Sequence, residues 1–354
     1  MKDKILNIIA WKLRLLARLT IAKYNPAIVG VTGNVGKTSA KLAIATVLAS
    51  DRTVRASVKN FNNELGLPLN IIGEFDSTEG LGIWIRAIWT GLKNLVITTD
   101  YPEVVVLEYG VDRPGDMNYL LGIVRPQIGA VTAVGDVPVH VEFFSGPEGL
   151  AKEKSKLIAA LPATGFAILN ADDPVVMKMA GQTRAHAVTF GFAPKADLHL
   201  TNFKNRFDPA SSEAGVSFKL NYAGASVPVR IEGVFGKTAA YASAVAAATG
   251  IVFGLNLVKI AEALGHYAGP AGRLRAIPGL HRSTLIDDTY NASPRAMAEA
   301  LETLKALKAK RKIAVLGDML ELGQYTLEAH REVGRTAAKV ADMIVTVGTR
   351  GARR

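Results

Sequence analysis

The chain contains no cysteine, which excludes disulfides and thiolate zinc sites and allows a reducing compartment. Acidic residues are also scarce. Against 42 Lys and Arg stand 31 Asp and Glu, leaving a formal net charge of +11. A balance of this sign attracts a polyanionic substrate, anionic lipid or nucleic acid, and it also arises from scattered solvated lysines. Basic and aromatic residues do not interleave as they do on a nucleic-acid platform, so no nucleic-acid partner is expected. Charges interrupt the apolar residues of the first 23 positions. That stretch therefore cannot span a bilayer, which needs ~20 predominantly apolar residues in a row. No small-residue cleavage site follows it, which argues against a signal peptide. Long internal repeats and low-complexity segments are absent as well.

What is present fits a globular α/β protein. At 354 residues the chain is too long for one ordinary core, so two or more domains are expected. Its 49% hydrophobic content and 33 glycines suit packed sheets with tight turns. Within residues 1–26, Ile5, Ile8, Ile9, Leu13, Leu16 and Leu19 lie near helical spacing. Six cations, Lys2, Lys4, Lys12, Arg14, Arg18 and Lys23, face one acid, Asp3. Two readings stand side by side: a helix lying on an anionic membrane surface, or a helix packed on the first domain.

Ala27 to Val31 reads as a short buried strand that runs into Gly33-Asn34-Val35-Gly36-Lys37-Thr38-Ser39, with a helix from Ser39 to Leu48. This is the strand–loop–helix context of a phosphate loop. Backbone N–H groups and a helix N-terminus cradle phosphate oxygens, Lys37 supplies a cation, and the Thr38 hydroxyl is placed for Mg²⁺. Val31 stands where the strict pattern has its first glycine. Apolar runs at Val104–Leu107, Ile128–Val134 and Phe166–Leu169 predict buried parallel strands, and their alternation with helices predicts a doubly wound sheet. Trp84, Ile85, Ile88, Trp89 and Leu92, within 81–95, read as a packed helix and not as a binding stripe. Residues 195–232 read as antiparallel hairpins, followed by an alanine-rich helix near 239–249.

Gly and Pro cluster at 268–280, marking a boundary. A second, smaller α/β unit of three strands (Thr284–Asp287, Ile313–Leu316, Met343–Val347) and two helices (294–309, 326–340) follows. The chain then closes on Gly351-Ala352-Arg353-Arg354.

Glu108 ends the strand 104–107, where a carboxylate beside the loop is placed to hold a metal or to cap a turn. His140, set among Val139, Val141 and Phe143, reads by itself as a satisfied core histidine. Lys154, in Lys152-Glu153-Lys154-Ser155-Lys156, reads by itself as part of a solvated basic helix face.

Several motifs recur in one order: Thr32 to Ser39, Asn60-Phe61-Asn62-Asn63-Glu64-Leu65-Gly66-Leu67-Pro68, Leu107-Glu108-Tyr109-Gly110, His140-Val141-Glu142, Asn170-Ala171-Asp172-Asp173, Asp287 to Pro294 and Leu316 to Gly323. Together they resemble the Mur ligase family over roughly residues 27 to 350. The last two resemble the branch that adds D-alanyl-D-alanine to a muramyl peptide.

The resemblance implies a P-loop-containing central domain with a mostly parallel sheet at 27–270 and a partial Rossmann-like C-terminal α/β domain at 271–354. It implies an ATP-dependent, amide-forming ligase that works through an acyl phosphate. The ATP contacts it implies are Gly33, Asn34, Val35, Gly36, Lys37, Thr38, Ser39, Asn62, Asn63, Arg273, Asp288 (to the ribose) and Asn291. Two Mg²⁺ ions are implied, one on Thr38 and Glu108 and a second on His140, with Lys154 carbamylated. Lys37, Lys154, His140 and Arg273 are the implied catalytic set. The implied partner is a small peptide or nucleotide-sugar-peptide substrate. The implied setting is a cytoplasmic monomer, at the inner membrane surface if residues 1–23 touch lipid.

Three departures qualify this. Only about 26 residues precede the first strand, where the family has a UDP-gripping domain. Gly233 to Ala240 lacks the family's adenine-contacting asparagines. The C-terminal domain is expected to be incomplete, and the chain a fragment or a reduced form. The rival readings are a Mur-like ligase with a different acceptor, lipid-linked or otherwise, a folate-type polyglutamate-forming ligase, a catalytically idle nucleotide-binding scaffold, and a nucleic-acid-dependent P-loop enzyme that rests only on charge and the loop. Gly236-Lys237-Thr238 mimics a second phosphate loop by coincidence.

Overall fold

The computed structural model describes residues 2–349 except 58, 79, 137–138 and 209–212, and it leaves out the side chains of residues 2–5, 7 and 282. The C-terminal Gly351 to Arg354 lies outside the described residues.

A long helix α1 (Lys2–Tyr24) leads into β1 (Ala27–Thr32), the glycine loop and α2 (Lys37–Leu48). Then come β2 (Val54–Ala56), α3 (Gly66–Ile72), α4 (Leu81–Val96), β3 (Val104–Glu108), α5 (Asp116–Leu121), β4 (Ile128–Val131), α6 (Pro147–Ala159), β5 (Phe166–Asn170), α7 (Pro174–Met177) and β6 (His186–Gly191). A meander of β7 (Leu198–Asp208), β8 (Glu213–Tyr222) and β9 (Ala225–Glu232) precedes α8 (Lys237–Val252) and α9 (Leu257–Leu264). All nine strands form one sheet in the order β2-β3-β1-β4-β5-β6-β7-β8-β9. It is parallel through β7 and antiparallel over the meander, as the alternating run at 195–232 predicts.

The apolar runs are unbroken because both sheet faces are covered. Along β3, Val104 and Val106 point into the core under α2 and α8, while Val105 and Leu107 point into the core under α1 and α3. Helix α8 buries seven alanines against that first face, small side chains that let it pack closely on α2 and the sheet. One strand is shorter than its apolar pattern suggests. β4 stops at Val131 because residues 132–135 turn to serve the glycine loop: Thr132 Oγ1 donates to Val35 O (2.7 Å) and Ala133 O accepts from Asn34 N (2.6 Å).

Two expectations about helices need correction. In α4, Trp84 is buried, but Leu81, Ile85, Trp89, Leu92 and Val96 face outward, so the helix is only half packed. In α6, Glu153, Lys154 and Ser155 are buried, so the expected solvated basic face is not there. The side chains at 153–155 turn toward the sheet and α5, and within 152–156 only Lys152 is exposed.

Beyond residue 270, β10 (Arg275–Pro278) and β11 (Thr284–Asp287) form an antiparallel pair, followed by α10 (Pro294–Ala306), β12 (Ile313–Gly317), α11 (Thr326–Ala338) and β13 (Met343–Val347). β12 and β13 form a parallel pair. The three strands expected in one unit are thus split between two small sheets, because β11 takes β10 as its partner. This lobe docks on the central one through Arg295 Nη1 to Asp173 Oδ2 (2.9 Å) and through the Glu299 carboxylate, which accepts from Thr238 Oγ1 (2.6 Å).

Candidate active site

The glycine loop leaves β1 at the point where the strand order reverses between β3 and β4, the usual crevice of an open α/β sheet. Gly33 (φ +142°) admits no side chain, since a Cβ there would meet Thr132 Oγ1 at 2.1 Å. Gly36 (φ +85°) precedes α2 with no side-chain cap, leaving the first N–H groups of that helix open to an anion. Asn34 Nδ2 donates to Val134 O (2.7 Å), and its Oδ1 is buried with no hydrogen-bond partner among the described residues. Lys37 Nζ folds back on Gly33 O (2.9 Å). Burial pulls the Lys37 pKa down, Glu108 and Asp112 oppose that shift, and the charge of Arg273 adds to it.

Pairing of Val31 with Glu108 across β1 and β3 brings the carboxylate level with the loop. Glu108 is 1% exposed, accepts from Thr38 Oγ1 (3.1 Å), and has Asn62 Nδ2 at 3.4 Å. Its strongest partner was not singled out from the sequence. Lys41, fully buried, places Nζ 3.3 Å from Glu108 Oε2 and also donates to Lys59 O (2.9 Å) and Ser57 Oγ (3.2 Å). The available signal was spacing: Lys37 and Lys41 are i and i+4 on α2, hence on one face.

Lys154, 1% exposed, reaches the same region from α6. Burial and then the like charge of Lys37 pull its pKa well down, while Asp112, Glu108 and Asp116 pull the other way. His140, at φ +67°, has Nε2 3.4 Å from Asp112 Oδ1. Its Nδ1 lies 2.5 Å from Glu321 Oε2 of the C-terminal lobe, outside hydrogen-bond geometry. The histidine is therefore not a satisfied core residue. It stands between two acids, and Asp112 connects it electrostatically to both lysines.

From the C-terminal lobe, the Arg273 guanidinium lies 4.3 Å over the Tyr290 ring. Its pKa is lowered by burial and raised by Asp288, Tyr290 and Glu108. Burial pushes Asp288 up to about 7 despite Arg273, and its Oδ1 accepts from Leu274 N (3.2 Å). Val35, Gly36, Ser39, Arg273, Asp288 and Glu299 line one cavity between the lobes. Asn60 ties the lobes together, accepting from Thr38 Oγ1 (3.0 Å) and donating to the Tyr290 hydroxyl.

Two expected ligands are engaged elsewhere. Asn63 Oδ1 accepts from Gly66 N (2.9 Å) and Leu65 N (3.3 Å), a turn ahead of α3. Asn291 is exposed and its Oδ1 accepts from the next backbone N–H. The N-terminus of α8, where Gly236-Lys237-Thr238 mimics a loop, is occupied by the Glu299 carboxylate. Asp173 caps α7 and also receives Arg295.

The donor set at Thr38 and Glu108 suits a hard divalent cation. Two oxygens sit beside an open helix N-terminus, and Mg²⁺ takes its remaining ligands from phosphate and water. Among the described residues no group of three acids or histidines forms a closed metal cage.

Fold and loop define a P-loop α/β protein with a second lobe closing on the loop. Residues 90–250 match the Mur ligase middle domain, and residues 272–354 match the Mur ligase, glutamate ligase domain. The chain belongs to the Mur ligase family. It is 32% identical over 344 residues to a UDP-N-acetylmuramoyl-tripeptide–D-alanyl-D-alanine ligase of Mycobacterium leprae, covering 91% of this chain and 61% of that protein. The chain thus spans about three fifths of that relative's length. A crystal structure of MurF from Acinetobacter baumannii superposes with a TM-score of 0.78 at 25% identity, covering 95% of this chain and 68% of that one. The MurF ligase of Thermotoga maritima in complex with ADP gives 0.79 at 24% identity, covering 97% and 71%.

Proposed function

We propose that this chain is an ATP- and Mg²⁺-dependent ligase of peptidoglycan-precursor synthesis that joins D-alanyl-D-alanine to a muramyl-peptide carboxylate through an acyl phosphate. The observation that carries the reading is the meeting of opposite charges at one crevice. Lys37, Lys41 and Lys154 of the central lobe and Arg273 of the C-terminal lobe all feel the charge of Glu108, and Asp112 acts on Lys37 and Lys154 as well.

A carboxylate attacking a γ-phosphate brings two anions together, and that approach needs fixed cations in a site shielded from water. In this reading Lys37 and the N–H groups of α2 hold the terminal phosphates, Arg273 reaches them from the closing lobe, and Asp288 takes the ribose. Thr38 and Glu108 would hold Mg²⁺, and His140 would serve a second ion. Mg²⁺, when bound, supplies Lewis-acid neutralisation of the transferring phosphoryl group. Lys154 is a buried amine whose charge is disfavoured. As a carbamate it would carry the opposite charge and no longer repel Lys37. We further assign residues 27–270 to the ATP-binding domain and 271–354 to a Rossmann-like closing domain. Residues 1–23 would make peripheral contact with the inner face of the cytoplasmic membrane, where a lipid-linked acceptor is the alternative substrate.

The test is phosphate release from ATP with muramyl tripeptide and D-alanyl-D-alanine supplied separately and together. Release only when both are present, abolished in Lys37→Ala, is expected. ATP turnover indifferent to every acceptor and amine would leave a nucleotide-binding scaffold in place of a ligase.

A further inference from the structure

Helix α1 has two apolar faces. One, with Leu13, Leu16 and Ala17, is buried against α3 and α4. The other, Ile8, Trp11, Leu15 and Leu19 at i, i+3, i+7 and i+11, points to solvent, with Trp11 62% exposed. Helix α4 repeats the arrangement. Trp84, Ala87 and Gly91 are buried, while Leu81, Ile85, Trp89, Leu92 and Val96 form one outward stripe at steps of four, four, three and four, with Trp89 72% exposed.

The two helices lie side by side and run the same way. Leu16 fits against Gly91, where a Cβ would lie 3.0 Å from Leu16 Cδ1. Lys23 Nζ at the end of α1 donates to Asn94 O (2.8 Å) and Ile97 O (3.2 Å) at the end of α4. By helical phase, Leu19 and Leu15 follow Leu16 outward and Leu92 and Ile85 follow Gly91 outward, so both stripes open from the same seam.

Exposed cations flank the stripes: Lys12 and Arg18 on α1, Arg86 and Lys93 on α4. α4 has no acid and α1 only Asp3. No described helix is long and apolar enough to cross a membrane.

We propose that α1 and α4 together form a platform that seats on an anionic lipid surface, with Trp11 and Trp89 as its interfacial anchors. The charge chooses the occupant. A protein groove for these helices would have to neutralise four flanking cations site by site, whereas an anionic leaflet does so everywhere, and indole rings favour the headgroup boundary. The platform extends the peripheral contact of residues 1–23 to a second helix and rests on that reading.

The full chain is sedimented with phosphatidylglycerol-containing vesicles and with pure phosphatidylcholine vesicles. Two of its three tryptophans lie in the stripes, so a blue shift of emission reports insertion directly. Trp11→Ser/Leu15→Ser and Ile85→Ser/Trp89→Ser are compared, each checked for an unchanged far-UV spectrum. Expected are binding to the anionic vesicles only, weakening with salt, and a loss of at least tenfold in each double variant. Loss in the α1 variant with full binding in the α4 variant overturns the platform and leaves the contact of residues 1–23. No vesicle binding overturns both; a dimer in light scattering that either variant dissolves would identify the face as an interface between copies.

Discussion

Lys41→Met tests the electrostatics of the crevice most directly. Nζ and Oε2 are 3.3 Å apart, with both side chains at 0–1% exposure. At an effective dielectric constant of ~20 their attraction is about 5 kcal/mol. Much of that is offset by desolvation of both ions, so the pair itself adds little net stability. Removing one partner is different, because the other charge stays buried. Among the described residues, Glu108 would keep only Thr38 Oγ1 at 3.1 Å and Asn62 Nδ2 at 3.4 Å. The expected loss is about 3 kcal/mol, the lower end of the ~3–5 kcal/mol typical for a broken buried pair. Glu108→Gln strands Lys41 in turn, although Ser57 Oγ and Lys59 O still accept from it.

The double variant buries no charge at this point and should recover at least ~1.5 kcal/mol relative to the sum of the single losses. Urea unfolding followed by tryptophan fluorescence is the assay. All three tryptophans, Trp11, Trp84 and Trp89, belong to α1 and α4, so the signal reports the central lobe alone. Single losses that add within ~0.5 kcal/mol would show that the two charges do not sense each other, and the proposed balance of charge around Glu108 would fail.

Lys154 binds fewer protons folded than unfolded, because burial and Lys37 lower its pKa well below 10.5. Stability should therefore rise with pH through the window between the folded pKa and 10.5, and its contribution is lost below the folded pKa. Lys154→Met should flatten this slope and raise Tm at neutral pH when bicarbonate is absent. A wild-type Tm that falls relative to the variant as pH rises refutes the assignment. Asn63→Ala should cost about 1 kcal/mol, the typical net worth of a lost intramolecular hydrogen bond, and leave KM for ATP unchanged. A tenfold rise in KM at unchanged stability would return Asn63 to the nucleotide site.

The mostly parallel sheet was legible because each strand, buried on both faces, is a short unbroken apolar run, as at Val104–Leu107. The glycine loop was legible because its chemistry is local: seven consecutive residues carry the turn, the cation and the hydroxyl. The nature of α4 was not legible. Trp84, Ile85, Ile88, Trp89 and Leu92 follow helical periodicity whether one face is covered or two, and periodicity cannot say what covers a face. Nor could spacing reveal that β11 leaves the expected sheet to pair with β10, since either partner satisfies the same apolar pattern.

The sequence alone determined the fold class, the loop and the order of the motifs, because these depend on local conformation and on the period of apolar residues. Only the tertiary structure decided which charges face one another. Lys154 and Glu153 turn inward from a run that reads as a solvated face, Lys41 takes Glu108, His140 stands between Asp112 and Glu321, and Glu299 fills the end of α8. Each of these is a meeting of residues tens to hundreds of positions apart or a choice between two faces of one helix. It is settled by which surfaces pack, and neighbouring residues carry no record of it.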